Sequence, residues 1–310
     1  MSRKDNSLQG NLHQGMMIGT MAFAAVAVIV FLFFKNENAR DYNYNTPKVI
    51  LAGDSIFAYF QDERSVASLL SEKLSEEVLD VSMGGTCMAY CDRDGRLDDT
   101  RDCMSMAALT QAKVNDDFRY QDNSPLTIGS MDYYEERLED IKKTDYSKGE
   151  ILIIEHLLND YQNGVPVETG SDIYDEYTYE GALRSVVSTL KKEYPNLRII
   201  LASPILTWYP STVTVTDEDG ATHEEQDFDH MITAHESDFG GGTIDKYKDV
   251  QERIADEMGV EYIDLSLSFD NTAYEDRYTY SDEGIHPSEY GTQLIAEYIF
   301  RYLSGEEVSK

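Results

Sequence analysis

The segment from Val49 to Ser55 is the feature that most restricts how this chain can fold. A short apolar run rich in β-branched residues ends abruptly there in Gly53, Asp54 and Ser55. Such a run predicts a buried strand. Open α/β sheets carry their chemistry beyond the carboxyl ends of their strands. The segment therefore predicts an α/β fold in which Ser55 lies at the functional edge of the sheet.

Apolar strands and amphipathic helices alternate along the rest of the chain. Further strands are predicted at 77–83, 151–154, 197–202 and 260–265, and helices at 63–77, 104–114, 131–142, 178–193, 246–258 and 288–303. This alternation is typical of a mostly parallel, doubly wound sheet. The segment 210–242 departs from it, because it alternates like a hairpin and ends in three glycines. We expect a hairpin-like insertion there, either covering a cleft or forming a surface excursion.

An uncharged apolar stretch near the N-terminus predicts a membrane anchor. Residues 16–34 contain no charged side chain and are long enough to cross a hydrocarbon core as a helix. Bulky residues continue up to Lys35, whereas a signal peptide ends in a small-residue cleavage site. We therefore expect a cytoplasmic tail (1–15), a single uncleaved anchor and a polar stalk (35–47). Residues 48–310 would form one extracytoplasmic domain.

The charge of the chain restricts its partners. It has 58 Asp and Glu residues against 26 Lys and Arg residues, a formal net charge of −32. This balance argues against nucleic acid as a partner, because binding it requires a basic surface. An acidic surface also repels anionic polymers and anionic lipid head groups.

Three cysteines, Cys87, Cys91 and Cys103, lie close together in the sequence. Outside the cytoplasm a disulfide is expected, and the odd number leaves at least one thiol unpaired or paired with another molecule. We favour the pair Cys91–Cys103. No histidine lies nearby, and three cysteines are too few for a structural zinc site, so no metal is expected.

A serine hydroxyl becomes a nucleophile when a base removes its proton, and the usual base is a histidine oriented by a carboxylate. Of the six histidines, His286 alone lies in a loop just before the last predicted helix. Asp282 and Glu283 precede it, and either carboxylate could orient the imidazole. Ser55 and His286 are therefore the candidate nucleophile and base.

Negative charge that develops on an attacked carbonyl requires preorganised hydrogen-bond donors. Gly84 and Gly85 follow the second predicted strand and allow close approach of the backbone. Asn159 follows the third strand, and its side-chain amide can donate. Asp160, the next residue, is expected to be structural. Three consecutive strand ends would thus supply a nucleophile, a backbone donor and an amide donor.

Four short motifs occur in one order along the chain. They are Gly53–Ser55, Asp80–Thr86, Leu157–Asp160 and Glu283–Pro287. Together they resemble the four blocks of the SGNH, or GDSL-type, hydrolase superfamily, and the resemblance spans residues 48–303. It departs from the family pattern at Leu157, where glycine is common, and at Glu283, which stands at the usual aspartate position.

The resemblance implies a three-layer α/β/α, flavodoxin-like sandwich with a mostly parallel central sheet. The transmembrane helix expected from residues 16–34 would precede it. It also implies that Ser55 is the nucleophile and His286 the base. The backbone amides of Ser55 and Gly85, with the Asn159 side chain, would form the oxyanion hole, and no metal or organic cofactor would be needed. Successive residues of an extended loop point in opposite directions, so we expect Glu283 rather than Asp282 to contact His286.

These expectations together describe a membrane-anchored, extracytoplasmic serine esterase. Its substrate would be an acylated saccharide, from which it removes small acyl groups such as acetyl, in the cell envelope or outside the cell. An O-acyltransferase would use the same residues with a sugar hydroxyl as acceptor. A binding module that kept the fold without activity is the third alternative.

If residues 16–34 form an uncleaved anchor, the full-length protein should stay with membranes through high-salt and carbonate washes. Protease added outside intact cells should digest the domain that follows, because that domain would be exposed there. A soluble form that begins near residue 35 would show a cleaved signal peptide instead.

Overall fold

The computed structural model describes residues 44, 46–92, 101–124, 132–216, 221–269, 280–306 and 308. The predicted tail, the anchor 16–34 and nearly all of the stalk lie outside the described residues. Within the described ranges, no helix is both long enough and apolar enough to span a membrane.

Five parallel strands form the central sheet, which confirms the predicted parallel α/β architecture. They are β1 (Val49–Gly53), β2 (Val78–Asp80), β3 (Ile151–Glu155), β4 (Arg198–Ser203) and, after a hairpin, β7 (Glu261–Asp264). Their order is β2-β1-β3-β4-β7, and every neighbouring pair is parallel. This is the strand order of flavodoxin-like sheets. The carboxyl ends of β1, β2 and β3 therefore lie side by side.

The β1 strand is buried along its whole length. Val49 is 3% exposed, and Ile50 and Leu51 are fully buried. Burying one such aliphatic side chain contributes about 1.5–3 kcal/mol. A strand that is apolar on both faces requires helices over both faces of its sheet. The apolar run ends together with the strand, because the chain leaves the covered part of the sheet there.

Nine α-helices lie among the described residues. They are α1 (Ser55–Ala58), α2 (Val66–Leu74), α3 (Met106–Asn115), α4 (Arg119–Asp122), α5 (Asp132–Lys143), α6 (Leu158–Gln162), α7 (Tyr179–Glu193), α8 (Ile244–Met258) and α9 (Glu289–Leu303). The six predicted helices correspond to α2, α3, α5, α7, α8 and α9, with ends shifted by a few residues. The short helices α1, α4 and α6 were not predicted, because so few residues show no helical periodicity.

The helices pack in two groups. In one, α2 packs against α9, and in the other α7 packs against both α3 and α8. Hydroxyl side chains begin four of these helices by accepting a hydrogen bond from the backbone N–H three residues on. These caps are Ser65, Ser105, Thr178 and Ser288.

Residues 208–233, which cover most of the predicted insertion, contain an antiparallel hairpin of β5 (Trp208–Thr216) and β6 (Thr222–Thr233). The two strands form a sheet of their own. At the base of the hairpin, Trp208 and Tyr209 are 1% and 6% exposed, so both side chains pack in the interior. The base of the hairpin is thus part of the packed domain.

The predicted Cys91–Cys103 disulfide is wrong, and none of the three cysteines forms a disulfide here. The Sγ atom of Cys91 lies 3.4 Å from that of Cys87. Cys103 lies in the 3₁₀ segment Arg101–Met104 and is fully buried, whereas Cys91 is exposed. Sequence spacing could not reveal this, because the backbone between the cysteines sets the direction of each thiol.

Candidate active site

Ser55 begins helix α1 directly after β1. The Asp54 carboxylate caps this helix and accepts a hydrogen bond of 2.9 Å from the backbone N–H of Ile56. The turn from strand to helix is tight. A Cβ atom at Gly53 would lie 2.9 Å from the Phe57 ring and 3.0 Å from the Glu155 carbonyl oxygen, so a side chain does not fit there. The turn thereby holds Ser55 at the sheet edge, where its side chain lines an open cleft.

His286 meets Ser55 across the cleft. Its Nε2 atom lies 3.1 Å from the Ser55 Oγ atom. The imidazole is carried by a small antiparallel pair, β8 (Ser281–Asp282) and β9 (His286–Pro287). The Trp208 backbone N–H donates a hydrogen bond of 2.8 Å to the Gly284 carbonyl oxygen, so the base of the hairpin holds this loop.

The prediction that the loop before His286 is extended is wrong. Glu283 and Gly284 have φ values of 60° and 87°, and with Ile285 they form a tight turn between β8 and β9. A Glu283 carboxylate oxygen lies 3.8 Å from His286 Nδ1, and the side chain is 74% exposed. This distance is too long for a hydrogen bond, so Glu283 acts on the imidazole through charge alone. The side chain of Asp282 lies outside the described residues.

Tyr59 supports the imidazole from one face. Its ring is stacked on His286 with 4.5 Å between ring centroids and 4° between ring planes. Tyr59 follows helix α1 one turn after Ser55, so one local element presents both the hydroxyl and the ring. Sequence reasoning missed this residue, because nothing local indicates which ring His286 will meet.

Asn159 lies in the first turn of α6, after β3. Its amide Nδ2 donates a hydrogen bond of 3.0 Å to the Asp54 carboxylate, and the side chain also lines the cleft. Leu157, which departs from the family pattern, has φ −160° and ψ −41°. Its φ value lies outside the left-handed region that favours glycine.

Gly84 and Gly85 form the turn after β2. Gly85 has φ 74°, a left-handed conformation that favours glycine, and it lines the cleft. The Gly84 N–H donates to the Tyr133 hydroxyl at 3.0 Å, and the Tyr134 hydroxyl donates to the Gly84 carbonyl oxygen. Two tyrosines of α5 therefore fix the turn that contains Gly85.

Asp160 is fully buried behind the glycine turn. Its carboxylate accepts hydrogen bonds of 2.7 Å and 2.9 Å from the backbone N–H groups of Met88 and Ala89. It thus connects α6 to the segment that follows Gly85. Asp160 therefore supports the site without lining it.

The cleft around Ser55 has a volume of about 450 Å³. It is lined by Ser55, Ala58, Tyr59, Gln61, Gly84, Gly85, Tyr133, Tyr134, Asn159, Gln162, Ile285 and His286. None of these residues is a lysine, an arginine or an acid, although the chain as a whole is strongly acidic. In the described part of the chain, no group of three or more His, Cys, Asp and Glu side chains could hold a metal ion.

Two amide side chains of the cleft are held by neighbours outside it. Arg137 donates to the Gln61 Oε1 atom at 2.7 Å, and the same guanidinium pairs with the buried carboxylate of Asp80 at 3.1 Å. The Gln162 amide donates to the Tyr209 hydroxyl at 3.0 Å. Both amides are therefore positioned before any ligand arrives, and neither was singled out from the sequence.

Buried titratable groups lie beneath the site. Burial raises the pKa of Asp54 to about 6. Burial and then the charge of Asp54 raise the pKa of Glu155 well above its usual range. The pair therefore favours a protonated Glu155 beside an Asp54 carboxylate. His156 is also buried, and burial lowers its pKa to about 3, which makes it a poor proton acceptor.

Comparisons with known proteins agree with this geometry. The family described as GDSL-like lipase/acylhydrolase matches residues 49–299. No curated protein matches the chain. One crystal structure covers 85% of this chain and 98% of its own at 17% identity, with a TM-score of 0.57. A protein from Lactobacillus plantarum covers 85% and 99% at 17% identity, with a TM-score of 0.53. These two likenesses show a shared fold.

Replacing the buried acid by its amide, Glu155→Gln, should change how stability depends on pH. Above about pH 4.5 the unfolded chain releases the Glu155 proton, whereas the folded protein retains it. The contribution of Glu155 to the free energy of unfolding therefore falls as pH rises, and glutamine removes this pH dependence. Urea unfolding should be measured between about pH 4 and about pH 8. As pH rises, the free energy of unfolding of the variant should increase relative to that of the wild type.

The exposed Glu168→Gln variant is the control for that measurement and should follow the wild-type curve. If the free energies of unfolding of the wild type and Glu155→Gln change in parallel with pH, Glu155 ionises in the folded protein as it does in the unfolded chain.

Proposed function

Since the chain belongs to the GDSL-like lipase/acylhydrolase family, we propose that it is a serine esterase with Ser55 as nucleophile and His286 as base. The observation that carries this proposal is the distance of 3.1 Å between Ser55 Oγ and His286 Nε2. At that distance the serine hydroxyl can donate to a neutral imidazole and transfer its proton during attack. Among the described residues that line the cleft, His286 is the only histidine.

The reaction would proceed in two stages. Ser55 Oγ attacks the ester carbonyl carbon, His286 Nε2 takes the hydroxyl proton, and the alcohol leaves with that proton. Water, activated by His286, then hydrolyses the acyl-enzyme and releases the acid. The backbone N–H groups of Ser55 and Gly85 and the Asn159 amide would stabilise the tetrahedral oxyanion. One Asn159 N–H is bonded to Asp54, which leaves the other to donate into the cleft.

The imidazole would be oriented by two contacts on different sides. The Glu283 carboxylate, 3.8 Å from Nδ1, stabilises the imidazolium that forms when His286 takes the proton. The Tyr59 ring restricts rotation of the imidazole by stacking, and its π face also favours a cationic partner. In this arrangement Tyr59 is a positioning residue for His286.

The cleft lining supports a neutral acylated saccharide as the substrate. Two partly exposed tyrosines of the cleft, Tyr59 and Tyr133, can pack against sugar rings. The amides of Gln61 and Gln162, held in place by their neighbours, can bond sugar hydroxyl groups. Only Ala58 and Ile285 are aliphatic among the described lining residues, which favours a small acyl group such as acetyl over a fatty acyl chain.

We also propose the cellular setting and the layered architecture. The apolar stretch 16–34 and the polar segment after it support a single-pass anchor with the catalytic domain outside the cytoplasm. The flavodoxin-like strand order and the two groups of packed helices support a three-layer α/β/α sandwich.

The Ser55→Ala variant tests the proposed chemistry. Hydrolysis of p-nitrophenyl acetate should fall by about 10⁴-fold, as expected when a serine nucleophile is removed. The thermal midpoint should change little, because the side chain lies at the edge of an open cleft. A fluorophosphonate probe should label the wild type and not the variant, and an undiminished rate in Ser55→Ala would exclude the serine mechanism.

The Tyr59→Leu variant tests the stacking on His286. Loss of an aromatic stack should lower kcat up to about 10-fold, since such contacts contribute roughly 0.5–1.5 kcal/mol. Tyr59→Phe keeps the ring and should retain kcat. Phe60→Leu is the control and should retain kcat. It removes a neighbouring ring that contacts Tyr59 edge-on at 5.1 Å, whereas the ring stacked on His286 stays in place. Equal losses of kcat in the Phe and Leu variants of Tyr59 would assign the effect to the hydroxyl group instead.

A further inference from the structure

Cys87 and Cys91 place two thiols side by side just after the glycine turn. Their Sγ atoms are 3.4 Å apart, with Cys87 6% exposed and Cys91 at the surface. We propose that these two cysteines are an oxidation site, which forms an internal disulfide when the protein meets a small-molecule disulfide. The inference rests on the position of the thiols and not on the proposed esterase activity.

The geometry needs only a small movement. A disulfide bond is about 2.05 Å long, so the two sulfur atoms must approach by about 1.4 Å. The backbone between them bends at Met88 and Ala89 and is held by hydrogen bonds to other segments. Asp160 accepts from Met88 and Ala89, and Asp102 accepts from the Cys91 N–H at 2.8 Å. Rotation of the two side chains therefore supplies the approach while the anchored backbone stays in place.

The different burial of the two thiols sets the order of the chemistry. The exposed Cys91 thiolate attacks one sulfur of the oxidant, which releases one thiol and leaves a mixed disulfide on Cys91. The Cys87 thiolate then attacks the Cys91 sulfur, forms the internal bond and displaces the second thiol. Two electrons pass to the oxidant, and the two cysteine protons end on the two released thiols.

The environment of Cys87 keeps it from reacting first. The contact with Cys91, burial and the charge of Asp160 raise the pKa of Cys87 well above its usual range, so it is a poor target for reagents in solution. Cys87 therefore reacts in the second step, with the neighbouring sulfur of Cys91. Cys103 is fully buried in another segment and provides an internal control.

The disulfide should leave the catalytic cleft intact. Thr86, between Gly85 and Cys87, is held by a hydrogen bond of 2.6 Å from its hydroxyl to the Met83 carbonyl oxygen. Oxidation should therefore not move Gly85. The bond restricts the unfolded chain, so the thermal midpoint should rise by about a few degrees.

Peptide mapping tests the proposal on the full-length protein. The protein is incubated with glutathione disulfide, denatured, alkylated and digested with trypsin without reduction. Cleavage after Lys73 and Arg93 leaves Cys87 and Cys91 together in the peptide 74–93, whereas Cys103 lies in the peptide 102–113. The expected product is peptide 74–93 without alkyl groups and lighter by two hydrogen atoms, beside an alkylated Cys103 peptide.

Matched variants complete the test. Cys103→Ser should give the same oxidised peptide and the same rise in thermal midpoint. Cys91→Ser should give neither, with Cys87 alkylated after denaturation. The proposal is overturned if peptide 74–93 carries two alkyl groups, if it is joined to peptide 102–113, or if glutathione remains bound to Cys91 without closure.

Discussion

The carboxylate of Asp54 is the interaction on which the rest of the site depends. One oxygen caps helix α1 at Ile56, and the other accepts from the Asn159 amide. A single buried group thus sets the position of Ser55 relative to Asn159. This is possible because β1 and β3 are parallel neighbours, with Gly53 in register with Glu155. Burial and the charge of Asp54 raise the pKa of Glu155 beneath it, which disfavours two adjacent buried negative charges.

The other half of the site depends on the base of the hairpin. Trp208 bonds the turn before His286, and Tyr209 bonds Gln162 in the helix that carries Asn159. A Cβ atom at Gly284 would lie 3.0 Å from the Trp208 carbonyl oxygen, so glycine allows this close packing. Trp208 and Tyr209 lie just before the segment 210–242, which was expected to cover a cleft or to form a surface excursion, and they contact the site on two sides.

The electrostatics of the cleft differ from those of the whole chain. The formal net charge is −32, yet the described cleft lining contains no acid, lysine or arginine. An acidic surface discourages anionic ligands at long range, while a neutral lining of tyrosines and amides selects by shape and hydrogen bonding. Because attack creates a negative oxyanion, a lining without carboxylates also avoids opposing the charge that forms in the transition state.

Local sequence signals were enough to predict the parallel α/β sheet and the residues that meet at its edge, Ser55, Asn159 and Gly85. Apolar runs that end in polar or glycine residues are local signals, and parallel strands bring their carboxyl ends together. The tertiary structure decided the neighbours of these residues. Glu283 lies in a tight turn instead of an extended loop, Tyr59 stacks on His286, and Cys91 contacts Cys87 instead of Cys103. Such contacts depend on backbone turns and packing between distant segments, which leave no periodic pattern in the chain.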